Sequence, residues 1–378
     1  MKPLNSSLSV KHLAAGSLRA LLLIAALAPW AAAGCGGEPA VPRIEDVQLS
    51  ILAVGDTGRQ HALDDEMSGQ DIVARGLVHE DKRAPADAML LLGDNFYERG
   101  LRADEMVERL KENLVNPYCR FVALDGPDSA RVAEACRLPA KERHSIPILA
   151  VLGNHDHYEP GSAKRETKVI PRYVTNWHMP QGPVQAFTLG HGVSLVLFDS
   201  EVLARGEHID TLRDALRDVP GPWRVLVGHR PLRRHPRFET SAGGYPDRYI
   251  ESVTQAISEA RVPVQMIISG HEHNLQILEM APPAPPLSVI AGSGSSARGI
   301  DDADPRRLLG IEKLGFVRLD LVTPLAENSA SLVVSVFEID RHGGMSSALP
   351  RLAARWAVNT DGHVRRIFLS RAVELNGG

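Results

Sequence analysis

The chain has 378 residues, 44% hydrophobic and 23% charged, with a formal net charge of −4. That is globular composition, enough for one large domain or two small ones. No lysine-arginine block is present, which argues against a nucleic-acid surface. The first 34 residues stand apart from any fold. Lys2, Lys11 and Arg19 precede the apolar run "ALLLIAALAPWAAAG". A positive start, an apolar middle and small residues at the end make an export signal over residues 1–34. The run is short and holds Pro29, so a spanning helix is not expected. Removing residues 1–34 takes away three positive charges and no acidic ones, so −4 becomes −7.

Around Cys35 the segment "AAAGCGG" resembles a bacterial lipobox, with Ala32 where that pattern usually has Leu. The resemblance implies a lipid on Cys35 as the first mature residue; an ordinary cleaved signal is the other reading. Either way the protein is expected to be exported, as a cell-envelope lipoprotein or a periplasmic or secreted protein. Any membrane contact would be through the lipid on Cys35. Residues 35–46, polar with Gly and Pro, suit a short tether to a domain over 47–378.

Five strands follow one pattern. "VQLSILAVGD" ends at Asp56, "AMLLLGD" at Asp94, "IPILAVLGN" at Asn154, "WRVLVGH" at His229 and "VPVQMIISGH" at His271. Each is a near-continuous apolar run, as in strands buried on both faces, then a glycine, then a residue able to bind metal. Ligands in open α/β folds gather at the carboxyl ends of strands, and glycine there turns the chain without blocking the site. Helical spacing is read over 101–114, 209–219 and 249–261. Cys119 and Cys136 are an even remainder in an exported chain and are expected to form a disulfide, two reduced buried thiols being the alternative. Beyond residue 310, "LGFVRLDLV", "ASLVVSVFEID", "AARWAVN" and "RRIFLS" read as consecutive strands without helices, a mainly β part from about 311 that could pack on the first sheet as a second one.

With His273 of "GHEHN" and Tyr97 of "GDNFY", seven oxygen and nitrogen side chains compete for metal and no thiolate does. That set suits Fe, Zn or Mn, and seven ligands exceed what one ion uses, so two ions are implied.

The ordered series "VGDTG", "GDNFY", "GNHDH", "VGHRP" and "SGHEHNLQ" resembles the calcineurin-like metallophosphoesterases, and within them the purple (tartrate-resistant) acid phosphatases. The resemblance covers about residues 47–320 and implies an α/β fold, a two-sheet β-sandwich flanked by helices. It implies one ion held by Asp56, Asp94, Tyr97 and His273 and another by Asp94, Asn154, His229 and His271, with Asp94 shared. The Tyr97 phenolate would favour Fe(III), beside a divalent Fe, Zn or Mn. The implied activity is hydrolysis of small phosphate monoesters by a water that the metals activate, with His155 as proton donor to the leaving oxygen. Asp156 would orient a histidine by hydrogen bond. His235 would be a further substrate-side residue, although its spacing from the "GH" is short, while Arg230, Arg233 and Arg234 are read as solvated. The alternatives are a diesterase, nucleotide or pyrophosphate hydrolase of the same superfamily and, more remotely, a non-catalytic lipid-tethered binding protein.

Overall fold

The computed structural model describes residues 46–59, 68–233, 247–300, 303–323, 330–340, 349–370 and 373. Residues 1–34, where an export signal is expected, and Cys35, Arg234 and His235 therefore lie outside the described residues. Two mixed sheets pack face to face. The first is built around β1 (Val47–Val54), which runs parallel to β2 (Ala88–Leu91), then β3 (Ile148–Ala150) and β4 (Trp177–His178). In the second, β5 (Val184–Gly190), β6 (Val193–Phe198), β7 (Trp223–Val227), β8 (Met266–Ser269), β9 (Leu275–Glu279), β10 (Leu287–Ala291) and β11 (Arg307–Ile311) are ordered β11-β9-β10-β8-β7-β6-β5.

The C-terminal strands do not make a second sheet of their own. β12 (Leu314–Val322) pairs antiparallel with the free side of β1, and β13 (Ser331–Ile339), β14 (Arg351–Asn359) and β15 (Val364–Leu369) extend the first sheet to eight strands. The partner sheet comes instead from the middle of the chain.

The strands show why both layers hold. Successive side chains alternate faces, so β1 sends Leu49, Ile51 and Ala53 into the core between the sheets. Leu52 and Val54 point the other way, onto α1 (Gly69–Arg83) and the segment around α2 (Met106–Leu110). α3 (Ser162–Lys168) and α4 (Ser200–Ala204) are short, while α5 (Ile209–Asp218) and α6 (Asp247–Ala260) cover the outer face of the second sheet. There Leu212, Leu216, Val253 and Ile257 meet Val196, Phe198, Leu226 and Ile267. Over 101–114 the helical reading was too long. Regular α-helix is confined to α2, followed by a π-helical turn at Lys111–Val115.

Cys119 and Cys136 are joined by a disulfide, which closes a loop of a size worth roughly 3 kcal/mol of stability. Nearby, Asp81 in the last turn of α1 is fully buried. It accepts the Ala86 N–H at 3.0 Å and the Arg120 Nε–H at 2.5 Å, and meets His144 Nδ1 at 2.9 Å. Burial opposes its charge, but His144, the Ala86 N–H and Arg120 outweigh it and hold the carboxyl below its usual range. A depressed carboxyl pKa stabilises above the unfolded value, about 3.9, and that contribution fades as pH falls through the folded value. Asp81→Asn is expected to cost on the order of 2–3 kcal/mol at pH 7 because Arg120 loses its buried partner. Urea unfolding at pH 7 and pH 3.5 checks this; the gap to wild type should narrow at the lower pH.

Candidate metal centre

Each glycine-ended strand delivers its side chain to one place. Asp56 follows β1, Asp94 follows β2 and Asn154 follows β3, all in the first sheet; His229 follows β7 and His271 follows β8 in the second. The centre therefore sits where the carboxyl ends of both sheets meet. The turns are tight: Asp56, Asp94, His271 and His273 have φ of 59°, 53°, 73° and 54°. Non-glycine residues in this region cost roughly 1–3 kcal/mol each and concentrate at functional sites. The glycines are required by close approach. A Cβ on Gly270 would stand 2.5 Å from Asp56 Oδ2, and one on Gly153 would stand 2.2 Å from Asp94 Oδ1.

The seven side chains form two groups that share Asp94. In one, the Tyr97 hydroxyl lies 2.9 Å from Asp56 Oδ1, 2.7 Å from Asp94 Oδ2 and 2.9 Å from His273 Nε2. Ligand atoms of Asp56, Asp94 and His273 all lie within 4.8 Å of one another. In the other, His229 Nε2 lies 3.2 Å from Asn154 Oδ1, 3.1 Å from His271 Nδ1 and 3.5 Å from Asp94 Oδ2. Asp94, Tyr97, His229 and His273 are each at most 2% exposed.

The ring orientations leave the facing nitrogens available. His229 Nδ1 is 2.8 Å from the Leu92 carbonyl and donates to it, so Nε2 is the nitrogen turned inward, the one a bound cation would take in place of a proton. His273 Nδ1 is held 2.7 Å from Ser296 Oγ. Asp56 Oδ2 accepts the His271 N–H at 2.7 Å, and Asp94 Oδ1 accepts the His155 N–H at 2.9 Å. His155 Nδ1 bonds the Glu98 carbonyl, and its ring lies 4.5 Å from that of Tyr97, while Nε2 meets no partner among the described residues.

Electrostatically the centre asks for cations. Among the described residues, the nitrogens within ion-pair distance of Asp56 and Asp94 belong to imidazoles, not to lysine or arginine. Burial alone would lower His229, yet Asp94 outweighs it and raises the imidazole to about 9. At Asp94, burial works against the carboxylate, but the charges of His229, His155 and His271 keep its pKa below the usual range. Burial, then Asp56 and Asp94, push the Tyr97 phenol well above 10. Two buried carboxylates converging with a phenol, an amide and imidazoles, and with no lysine or arginine at ion-pair distance among the described residues, fit a pair of metal ions.

Two expectations need correction. Among the described residues Asp156 hydrogen-bonds no histidine. Its carboxylate accepts the backbone N–H groups of Gly153, Asn95 and Phe96 at 2.8–3.1 Å, so it pins the turn that carries Asp94 against the turn that carries Asn154. Arg230 and Arg233 are not solvated. They are 3% and 2% exposed and paired with Glu201 and Glu272, because those acids arrive from distant segments. Sequence reading also missed Ser296, Asn95 and Glu166. The Asn95 amide donates to the Val151 carbonyl at 2.9 Å and to Glu166 Oε2 at 3.1 Å, a link that no motif announces.

A family model of the calcineurin-like phosphoesterases matches residues 49–275, more than half of the chain. Purple acid phosphatase 7 of Arabidopsis thaliana is 24% identical over 310 residues, spanning 74% of this chain and 81% of its own length. Among solved structures, GAP50, described as the anchor in the inner membrane complex of Plasmodium, has a TM-score of 0.56 at 16% identity, covering 86% of this chain and 90% of its own. The purple acid phosphatase PPD1 from yellow lupin (Lupinus luteus) seeds has a TM-score of 0.56 at 13% identity, covering 82% of this chain and 53% of its own. At such identities the structural likeness speaks for the fold. With the family model matched across all five strand-end motifs, the chain belongs to the calcineurin-like phosphoesterases.

Proposed function

We propose that the protein is a phosphomonoesterase of the purple acid phosphatase type, exported and tethered or released outside the cytoplasm. The observation that carries the reading is the pair of donor groups sharing Asp94, with the Tyr97 oxygen in one of them. One ion, Fe(III), would be held by Asp56, Asp94, Tyr97 and His273. A divalent Fe, Zn or Mn would be held by Asp94, Asn154, His229 and His271. Together the bound cations would neutralise a phosphate ester's negative oxygens and activate a water for attack at phosphorus.

The chain's own groups do the rest. His155 is fixed through Nδ1 to the Glu98 carbonyl, which leaves Nε2 as the nitrogen to give a proton to the departing oxygen. Its backbone N–H holds Asp94 in place, so donor and shared carboxylate move as one unit. Asp156 keeps the two turns at fixed separation.

His155→Ala is expected to slow hydrolysis of alkyl phosphates by on the order of 10²–10⁴. p-Nitrophenyl phosphate should lose far less, since p-nitrophenolate leaves without a proton. Equal losses on both would remove the proton-donor role. Parallel assay of p-nitrophenyl phosphate and its bis-ester tests the substrate class. Preference for the bis-ester would move the protein to the diesterases. The GAP50 likeness keeps a binding role in view, and a metal-loaded protein that hydrolyses neither ester would favour it.

A further inference from the structure

At the opposite end of β1 from the metal centre lies a cavity of about 230 Å³. Val47, Ser50, Arg83, Asp87, Arg318, Asp320 and Arg355 stand around it. Its floor is an unusual stretch of sheet. Arg318 on β12, Ser335 on β13 and Arg355 on β14 lie directly across from one another in register, on strands buried at nearly every position. A buried row of two arginines and a serine contributes nothing to an apolar core, so its charges need answers.

Most of those charges are answered within the protein. Arg83 donates to Glu80 through Nε and Nη2, one to each carboxylate oxygen. Arg318 donates to Asp320 at 2.9 Å and to the Ala84 carbonyl at 2.6 Å. Asp320 also accepts the Ser50 hydroxyl at 2.7 Å, and Asp87 accepts the Ser50 N–H at 2.8 Å. Arg355 is the exception. It is 4% exposed, its Nε donates to Ser335 Oγ at 2.8 Å, and its two terminal nitrogens meet no acceptor among the described residues. Burial pulls its pKa down, with Asp320 opposing. An arginine stays charged regardless, so one buried cation is left with its fork facing a polar cavity.

We propose that this cavity binds a small oxyanion, a carboxylate or phosphate group, on the fork of Arg355, with Arg318 and Arg83 at its edge. A planar fork with two parallel N–H donors is the geometry that takes such groups bidentately. The site is separate from the metal centre and would stabilise the folded chain by linkage whenever the anion is present. It goes beyond the phosphatase reading and does not depend on it.

The test is equilibrium dialysis of inorganic phosphate against the metal-loaded full chain. Wild type should bind two equivalents, one at the metals and one at Arg355. Arg355→Gln should lose one and keep its p-nitrophenyl phosphate hydrolysis. Arg355→Lys keeps the charge without the fork and guards against a folding defect; its second equivalent should bind about tenfold more weakly. Acetate in the same dialysis separates the sources: displacement of the Arg355-dependent equivalent marks a site open to carboxylates, and no displacement a phosphate-selective one. Should the metal centre not take phosphate, wild type would bind one equivalent and Arg355→Gln none, which leaves the proposal standing. Equal binding by wild type, Arg355→Gln and Arg355→Lys would overturn it.

Discussion

Asp94→Ala is expected to abolish most phosphoesterase activity while leaving the two sheets intact. Asp94 is the one side chain present in both donor groups, 2.7 Å from the Tyr97 hydroxyl on one side and 3.5 Å from His229 Nε2 on the other. Its second oxygen holds the backbone of His155. Removing it therefore loosens both groups and the proton donor together. Cationic stabilisation of a phosphate ester is worth several kcal/mol, and each 1.36 kcal/mol is tenfold in rate. A loss of about 4 kcal/mol makes the expected drop in kcat/KM on the order of 10³. Metal content should fall for both ions, measured on protein purified without chelator. Stability of the metal-free variant should fall at neutral pH, because His229 loses the carboxylate that keeps it charged and the His155 N–H and Tyr97 hydroxyl lose their acceptor. A variant that keeps two bound ions and wild-type kcat/KM would show that Asp94 is not the shared ligand.

The strand ends were legible because each is a local event: an apolar run, a glycine and a ligand within ten residues. What those glycines are for is visible only in three dimensions, in the 2.5 Å and 2.2 Å separations that a Cβ at Gly270 or Gly153 would have from the carboxylates. Pairing was less legible. β1 and β12 are joined across some 270 residues, Ser50 lying opposite Asp320, and no local pattern specifies that partner. Helix α1 was missed for a related reason. Gly76 sits in its middle, which weakens a helical reading, yet a Cβ there would come within 2.6 Å of Ile339 on β13. Its start is a capping box between Ser68 and Asp71, with Asp where the usual pattern has Glu or Gln. The arginines of "GHRPLRRHP" failed differently. A cluster of like charges ordinarily marks a solvated face, and only the arrival of Glu201 and Glu272 buries Arg230 and Arg233.

Tyr97→Phe should remove colour without removing the enzyme. Tyr97 is 2% exposed, with its ring packed 4.5 Å from His155 and 5.8 Å from His273. Phe keeps those contacts, so the folded core should hold. The hydroxyl is the part that matters, lying within 2.9 Å of Asp56, Asp94 and His273. A phenolate on ferric iron absorbs in the visible, so the oxidised wild-type protein is expected to be purple or pink. The variant should lose that band and bind Fe(III) more weakly, read from the spectrum and from iron retained after dialysis. Its kcat should stay within about tenfold of wild type, since Asp56, Asp94 and His273 remain to hold the ion and electrostatic stabilisation by cations is the larger share of catalysis. Without the hydroxyl between them, Asp56 Oδ1 and Asp94 Oδ2 face each other as like charges. The metal-free variant should therefore melt below metal-free wild type, and added metal should close that gap. A colourless wild type with stoichiometric iron, or a band that survives in Tyr97→Phe, would make the tyrosine a packing residue. The protein would then stand with the wider phosphoesterases, and not with their purple branch.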